Sequence, residues 1–342
     1  MGKKPNKSLP MVSICTPTFN RRPFIPFMIQ CFLLQTYPRH RMEWIIIDDG
    51  TDPVGDLIES FNIPQIRYIR LTEKVTLGKK RNMCNDAARG EILVYADDDD
   101  YYPPERVSHA VEMLTKHPDA QCAGSSAMFL YFNHIQKMYQ FGPYGPNHST
   151  AATFAFRRTL LETSRFDEFS SVAEEKHFLK NYTVPFVQLD PLKSILVFSH
   201  NHNSCDKRKL LINISTGPND TTPNRNPFVK ESALTPANFI KHAGLLRFFT
   251  QEVDKLLESY EPGELKHKPD VNKQIQEMET KRTMEQQLRQ FSHENQSLKL
   301  ENSKLKEEIG HLKASLTKII QSKIEKKKEL VSSESVVSSE SV

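Results

Sequence analysis

The spacing of apolar and polar positions changes character along this chain. Between Met11 and Lys209, short β-rich apolar runs alternate with longer helical patterns: MVSICTPT, a helical stretch near Pro26–Gln35, EWIIIDDG, IRYIRL, a helix from Gly78 to Arg89, and EILVYA. Strand, helix, strand, helix is the order of an α/β layer fold with a mostly parallel sheet, so roughly the first hundred residues predict a Rossmann-like half. A helix is expected over 105–117, opened by Pro103-Pro104, and CAGSSAMFLYF and KMYQFGPYG predict two further strands joined by a turn.

After Lys209, Pro218, Pro223, Pro227 and Pro236 mark a connector. Thr235-Pro236 reads as an N-cap with proline in the first turn. The helix it opens carries Phe239, Ile240, Ala243, Leu246, Phe249, Val253, Leu256 and Leu257 on one face. Beyond Pro269 the apolar spacing becomes seven. Taking d at Met284, Phe291, Leu298, Leu305, Leu312 and Ile319 puts Leu288, Asn295, Asn302, Ile309 and Leu316 at a, a coiled coil of about five heptads. Glu294, Glu301 and Glu308 at g each stand five residues before Lys299, Lys306 and Lys313 at e. That spacing pairs opposite charges between parallel, in-register helices, and asparagines at a suit a two-stranded seam, so the chain is expected to be a parallel homodimer. VSSESV occurs twice in succession at the end and predicts a disordered tail. The expected organisation is an α/β domain over 9–210, a connector with an amphipathic helix over 211–269, a coiled coil over 270–324 and a tail over 325–342.

Composition narrows the partners. With 46 basic against 42 acidic residues the net charge of +4 is too near balance to argue for nucleic acid. The five cysteines are scattered without a C-x-x-C pair, which predicts buried thiols in a reducing compartment, not disulfides or zinc. The basic start MGKKPNKSLP is followed by no apolar signal region, and no window of about 18 apolar residues exists, so a soluble cytoplasmic protein without a membrane span is expected.

The chemistry concentrates at ILVYADDDDYYPP, residues 92–104, where four carboxylates follow an apolar strand. Like charges this close raise one another's pKa, so something positive is expected beside them. In an extended chain Asp97 and Asp99 point to one side and Asp98 to the other. Open α/β sheets bind ligands at the carboxyl ends of their strands. A divalent cation held by one or two carboxylates, with substrate phosphates and water completing its shell, would supply the positive charge. TPTFNRR ends the first strand, IIIDDGTD ends the second, and TLGKKRNMCNDA opens a helix with a glycine and basic residues, a start that suits a diphosphate.

These motifs resemble those of the family 2 glycosyltransferases, enzymes of the GT-A fold. The match rests on TPTFNR, IIDDGTD, GKKRN, YADDDD, AEEKHFL and SHNHNS, across roughly residues 11–205. The resemblance implies a GT-A, Rossmann-like, mixed and mostly parallel sheet flanked by helices, followed here by the helical segment and the parallel coiled coil. It implies that Thr16, Pro17 and Phe19 line the nucleotide pocket, that Asp49 contacts the base, and that Arg81 lies near the diphosphate. It also implies that Asp97–Asp99 form the metal and ribose motif, with Asp99 the direct ligand of Mn²⁺ (or Mg²⁺), Asp97 beside it and Asp98 near the ribose.

Where the family has a Glu-Asp pair with the catalytic base second, this chain has Glu174-Glu175, which makes Glu175 the base. His200 and His202 follow KSILVF on one face, and His202 is the candidate to complete the metal shell. The activity implied is inverting, metal-dependent transfer from a UDP-sugar, with UDP preferred over GDP or dTDP, to the hydroxyl of a glycan, protein or small-molecule acceptor. A sugar-nucleotide-forming nucleotidyltransferase is disfavoured because TPTFNRRPFIP contains no glycine loop. A non-enzymatic alternative is a dimeric coiled-coil scaffold whose nucleotide-sugar domain is inactive.

Overall fold

In a computed structural model, residues 9–211 and 226–337 are described, and they divide into two units, Met1–Ile275 and Gln276–Val342. In the first unit the expected alternation is realised as β1 (Val12–Thr18), α1 (Ile25–Leu33), β2 (Met42–Asp48), α2 (Gly55–Ser60), β3 (Ile66–Arg70), α3 (Leu77–Ala87), β4 (Ile92–Tyr95) and α4 (Arg106–Lys116). β1 and β4 are buried along their whole length, as central parallel strands covered on both faces must be.

The remaining strands of this unit are β5 (Cys122–Gly124), β6 (Met128–Phe132), β7 (Lys137–Phe141), β8 (Ala155–Arg157), β9 (Phe186–Gln188), β10 (Leu196–Ser199) and β11 (Val229–Glu231). They form a seven-stranded sheet in the order β3-β2-β1-β4-β8-β5-β9 and a four-stranded sheet in the order β10-β6-β7-β11. β1 pairs in parallel with both β2 and β4, and β8 runs antiparallel between β4 and β5. The large sheet is therefore mixed and mostly parallel. Trp44 anchors one face of it, stacked on Phe32 with ring centroids 4.9 Å apart and donating from Nε1 to Thr16 Oγ1 at 2.9 Å.

CAGSSAMFLYF does not make the single strand its apolar content predicts. Ser125 and Ser126 are buried and take their backbone N–H groups out of the ladder, to Thr153 Oγ1 and Gln188 Oε1. With those donors committed elsewhere, the chain passes from the large sheet at β5 to the small one at β6.

The amphipathic segment after Thr235 is also broken into pieces. α6 (Pro236–Phe239) ends where Ile240 turns extended, His242 caps α7 (Ala243–Arg247) by accepting the Leu245 N–H at Nδ1, a π-helical turn covers Phe248–Glu252, and α8 (Val253–Glu258) follows. The π turn inserts an extra residue and rotates the buried face. Phe248 and Phe249 are both buried as a result, while Ala243 and Leu256 of the predicted face are exposed.

Between Phe166 and the connector lies α5 (Glu175–Phe178), and α9 (Pro269–Val337) closes the described chain. α9 continues through Glu325–Val337, into the segment expected to be disordered. The run SKIEKKKEL there is rich in good helix formers. Pro218, Pro223 and residues 338–342 fall outside the described residues.

Candidate active site

β1, β4, the approach to α3 and the start of α9 meet around one cleft at the carboxyl end of the parallel strands, the position open α/β sheets use for ligands. Pro17, Phe19 and Arg21 come from the end of β1; Lys74, Lys80 and Arg81 from the approach and first turns of α3; Asp97, Asp98 and Asp99 from the segment after β4. The chain turns sharply after Phe19 through Asn20 at φ 52°, a conformation asparagine tolerates. Gly78 brings α3 against the 167–170 loop: its N–H donates to Ser170 O at 2.8 Å, and a Cβ there would lie 1.9 Å from Asp167 O.

The positive charge that the aspartates call for is supplied by two buried arginines. Arg21 reaches Asp98 from Nε at 3.3 Å and Asp99 from Nη2 at 3.0 Å. Arg81 donates from Nε to Glu174 at 2.6 Å and from Nη2 to Asp97 at 3.2 Å. β4 ends at Tyr95, so the extended alternation does not carry through the aspartates, and Asp98 faces the cleft beside Asp99 instead of pointing away. Asp100 leaves the cleft and accepts the Phe198 N–H at 3.0 Å.

The carboxylates differ in acidity according to these partners. Burial pushes Asp98 up to about 6 and Asp100 to about 8. Asp99 is buried too, but Arg21 and His200 outweigh that and hold it well below the usual carboxylate range.

Thr16 lies beneath the cleft, its hydroxyl donating to Ala96 O at 2.7 Å while accepting from Trp44. Asp49 accepts the Val75 N–H at 2.8 Å and is ion-paired with Lys80. It is not among the side chains that line the cleft.

Glu174 and Glu175 have opposite environments. Glu174 is buried and committed to Arg81, whereas Glu175 is partly exposed at the start of α5 with no cation at ion-pair distance among the described residues. Burial, then the neighbouring Glu174 charge, pushes Glu175 up to about 7. Ala173, immediately before the pair, sits at φ 54°, a conformation in which a non-glycine residue is strained.

The imidazole set against Asp99 is that of His200, with Nε2 3.3 Å from Oδ2. His202, the candidate from the sequence, contributes its backbone carbonyl to Arg21 Nη2 at 2.9 Å, while its ring lies near Tyr260. Burial lowers both imidazoles to about 4, so both are neutral at pH 7.

Among the described residues no group of three or more His, Cys, Asp or Glu side chains is arranged to hold a metal ion. What the cleft does offer is an ionised carboxylate, Asp99, with Asp97 and Asp98 beside it. Those hard oxygen donors suit Mn²⁺ or Mg²⁺ bound jointly with substrate phosphates.

Sequence reasoning did not single out Arg21, Lys80, Lys268 or Asp270, all of which line the cleft. The Arg21-Arg22 pair at a strand end was a readable signal for the first. Lys268 and Asp270 lie far along the chain from the motifs, and only the fold brings them in.

Residues 13–167 match the model of Glycosyl transferase family 2. Among curated proteins, the chain is 28% identical over 108 residues to the poly(ribitol-phosphate) beta-N-acetylglucosaminyltransferase TarS of Staphylococcus aureus (strain Mu50), covering 31% of this chain and 19% of that protein. It is 32% identical over 116 residues to the putative colanic acid biosynthesis glycosyl transferase WcaA of Escherichia coli K12, covering 32% of this chain and 41% of that one. The matched segments thus span less than half the length of these relatives. Among solved structures, S. aureus TarS 1-349 in complex with UDP-GlcNAc aligns at 19% identity and a TM-score of 0.43, covering 55% of this chain and 58% of that one.

Proposed function

We propose, on the premise that residues 13–167 match the model of Glycosyl transferase family 2, that this chain transfers a sugar from a UDP-sugar to an acceptor hydroxyl with inversion at the anomeric carbon. The observation that carries the reading is the division of labour at Glu174-Glu175: one carboxylate is tied to Arg81 and thereby to Asp97, and the other is left uncommitted at an acidity suited to taking up a proton near pH 7.

In this reading the donor lies in the cleft with its base toward Pro17 and Phe19, its ribose near Asp98 and its diphosphate toward Arg81. The acceptor oxygen attacks the anomeric carbon from the side opposite the nucleotide, and its proton passes to the Glu175 carboxylate. The bond from the anomeric carbon to the diphosphate oxygen breaks, its electron pair leaving on UDP. Asp99, with Asp97, would hold a divalent cation, which when bound offsets charge on the departing diphosphate. Arg81 orients Glu174 and Asp97 about the same point.

The name of TarS gives poly(ribitol-phosphate) and that of WcaA gives colanic acid biosynthesis, and a polyhydroxylated polymer is the acceptor class we favour here. No helix is long and apolar enough to cross a membrane among the described residues. Four of the five cysteines are buried thiols, which suits the reducing conditions of the cytoplasm. A scaffold with an inactive domain is not favoured, since the arginines, carboxylates and lysines of the cleft are all present.

Outside the catalytic unit, the a and d side chains Leu288, Phe291, Leu298, Leu305, Ile309, Leu312 and Leu316 are exposed along α9. We assign that stripe to a second copy in a parallel coiled coil, because Glu294, Glu301 and Glu308 then meet Lys299, Lys306 and Lys313 of that copy.

The test is a panel of nucleotide sugars with Mn²⁺, followed by UDP release with and without acceptor. Release that requires an acceptor supports transfer, and equal release to water alone would overturn it.

A further inference from the structure

We propose that Lys268, contributed by the segment Tyr260–Gln274 and not by the family domain, is a diphosphate-binding residue of the donor cleft; the inference rests on the nucleotide-sugar reading above.

That segment is fastened across the cleft at several points. Tyr260 OH donates to Asp52 at 2.8 Å, and Pro262 O accepts from Asn20 Nδ2 at 2.7 Å. Asp270 accepts from Ser171 Oγ at 2.7 Å and is ion-paired with Lys74. Gln274 accepts the Ser171 N–H at 2.8 Å and donates to Phe169 O at 2.7 Å. Gly263 lies so close beneath that a Cβ on it would stand 2.4 Å from His202 Nδ1. The same turn of chain that holds Asp270 against the 169–171 loop buries the side chain of Lys268 to 6% exposure on the cleft wall.

Three lysines gather around the ring of Phe19, with Nζ of Lys74, Lys80 and Lys268 at 5.4, 5.8 and 5.9 Å from its centroid. Two of the three are neutralised: Lys74 by Asp270, Lys80 by Asp49. Among the described residues the Lys268 ammonium has no carboxylate at ion-pair distance, and its one hydrogen-bond contact is a long 3.5 Å approach to Ser204 Oγ. Arg21 and Arg81, lining the same cleft, each retain an unpartnered buried Nη1. The Lys268 ammonium and these two Nη1 groups remain unmet although Asp97, Asp98 and Asp99 line the same cleft, and buried cationic donors around one space suit an anion with several acceptor oxygens, such as a diphosphate. Burial, then the Arg21 charge with a smaller part from Lys80, outweighs the opposing Asp98 and Asp99 carboxylates and pushes Lys268 down to about 7. An anion beside it reverses that shift, so diphosphate binding at pH 8 draws a proton from solution.

The experiment is calorimetric titration of the full chain with uridine, UMP, UDP and inorganic pyrophosphate, repeated at pH 8 in two buffers of different ionisation enthalpy. Lys268→Ala should weaken UDP binding about 10- to 100-fold, as loss of a charge-assisted contact implies, while leaving uridine binding unchanged. Lys268→Arg should restore most of the UDP affinity. Wild type should take up a proton with UDP, and Lys268→Ala should not. Pyrophosphate weakened in parallel with UDP would support a site for the diphosphate itself. If Lys268→Ala fails to fold, Lys268→Met keeps the stem against Phe19 and gives the same comparison. UDP affinity within about twofold of wild type in a folded variant would overturn the role of Lys268 while leaving the nucleotide reading intact. A wild-type chain that binds UDP no better than uridine would overturn both.

Discussion

The unit Met1–Ile275 and the unit Gln276–Val342 deal with burial in opposite ways. In the first, charged groups are taken out of water and matched: Arg81 with Glu174 and Asp97, Arg21 with Asp98 and Asp99, Lys80 with Asp49. In the second, charges and apolar side chains alike are exposed, Leu288 at 70%. Each unit's activity follows from what its own packing leaves unmatched. The first unit leaves Glu175 without a cation and Lys268 without a carboxylate at ion-pair distance among the described residues, which are the needs of the proposed base and of the proposed diphosphate contact. The helix leaves an apolar stripe, and because helices in water draw most of their stability from packing such a stripe, its need is a second helix.

The sharpest way to break the catalytic half of this contrast is Glu175→Gln. The amide keeps the shape but cannot accept the proton, so transfer should fall about 10²- to 10⁴-fold while UDP binding stays within a few-fold of wild type. The pH profile adds a sign. A base must be ionised to act, so the rate should rise with pH through about 7. Stability should move the other way. Folding raises this carboxyl from 4.5 to about 7, so the stabilisation it gives is present at low pH and is lost as pH climbs through about 7. Glu175→Gln should therefore melt higher than wild type at pH 8 and show little difference at pH 4. A rate that falls through pH 7, or Glu174→Gln proving the more damaging for chemistry with the fold intact, would assign the base to the wrong carboxylate.

Arg81 tests the matched side. Arg81→Met strands Glu174 in the interior, and breaking a buried pair in this way costs about 3–5 kcal/mol; chemical denaturation should register that loss. Asp99→Asn leaves Arg21 its pair with Asp98 and should abolish the Mn²⁺-dependent part of UDP affinity in the folded variant, as read by titration with and without EDTA. Metal-dependent binding that survives in Asp99→Asn would remove Asp99 from the cation site.

What the sequence displayed of this arrangement depended on distance along the chain. The strands and helices of the first 117 residues were readable because each carries its own period, and the resemblance to family 2 was readable because its motifs sit at strand ends in order. The split between β5 and β6 was not, since it depends on Thr153 and Gln188 capturing the backbone of Ser125 and Ser126. Nor was the face of the segment after Thr235, where one π turn rotates what an ideal helix would bury. At the site, the carboxylates were visible as a run, but their partners were not: Arg21 is 77 residues from Asp98, and Arg81 is 93 from Glu174. Which histidine meets Asp99 was equally beyond a two-residue alternation, because the chain turns at 201–202.

Separating the two units should separate their properties. A chain ending after Ile275 retains Lys268, Asp270 and Gln274 and with them the wall of the cleft, so its UDP affinity should match the full chain while it sediments as a monomer. A cut before Pro262 removes that wall, and UDP affinity should drop even though residues 13–167 are intact. Equal UDP binding by the two truncations would mean that the wall contributes nothing.

The smallest effect expected is also the one that best distinguishes the two kinds of ion pair. Glu294, Glu301 and Glu308 are exposed, as are Lys299, Lys306 and Lys313, so in the proposed parallel dimer their pairs are solvent-facing and worth only about 0.2–1 kcal/mol each. Changing the three lysines to glutamate replaces attraction with repulsion at these three g–e′ positions, and dimer dissociation followed by sedimentation should show a loss of a few kcal/mol at most. Raising the salt to about 1 M shortens the screening length to about 3 Å and should recover most of it. The Arg81–Glu174 pair, with both side chains under 5% exposed, lies out of reach of that screening, so the Arg81→Met defect should persist in the same buffer. A charge-swapped helix that dimerises as tightly as wild type at low salt would rule out the parallel register, because an antiparallel pair of helices would not set these glutamates against these lysines.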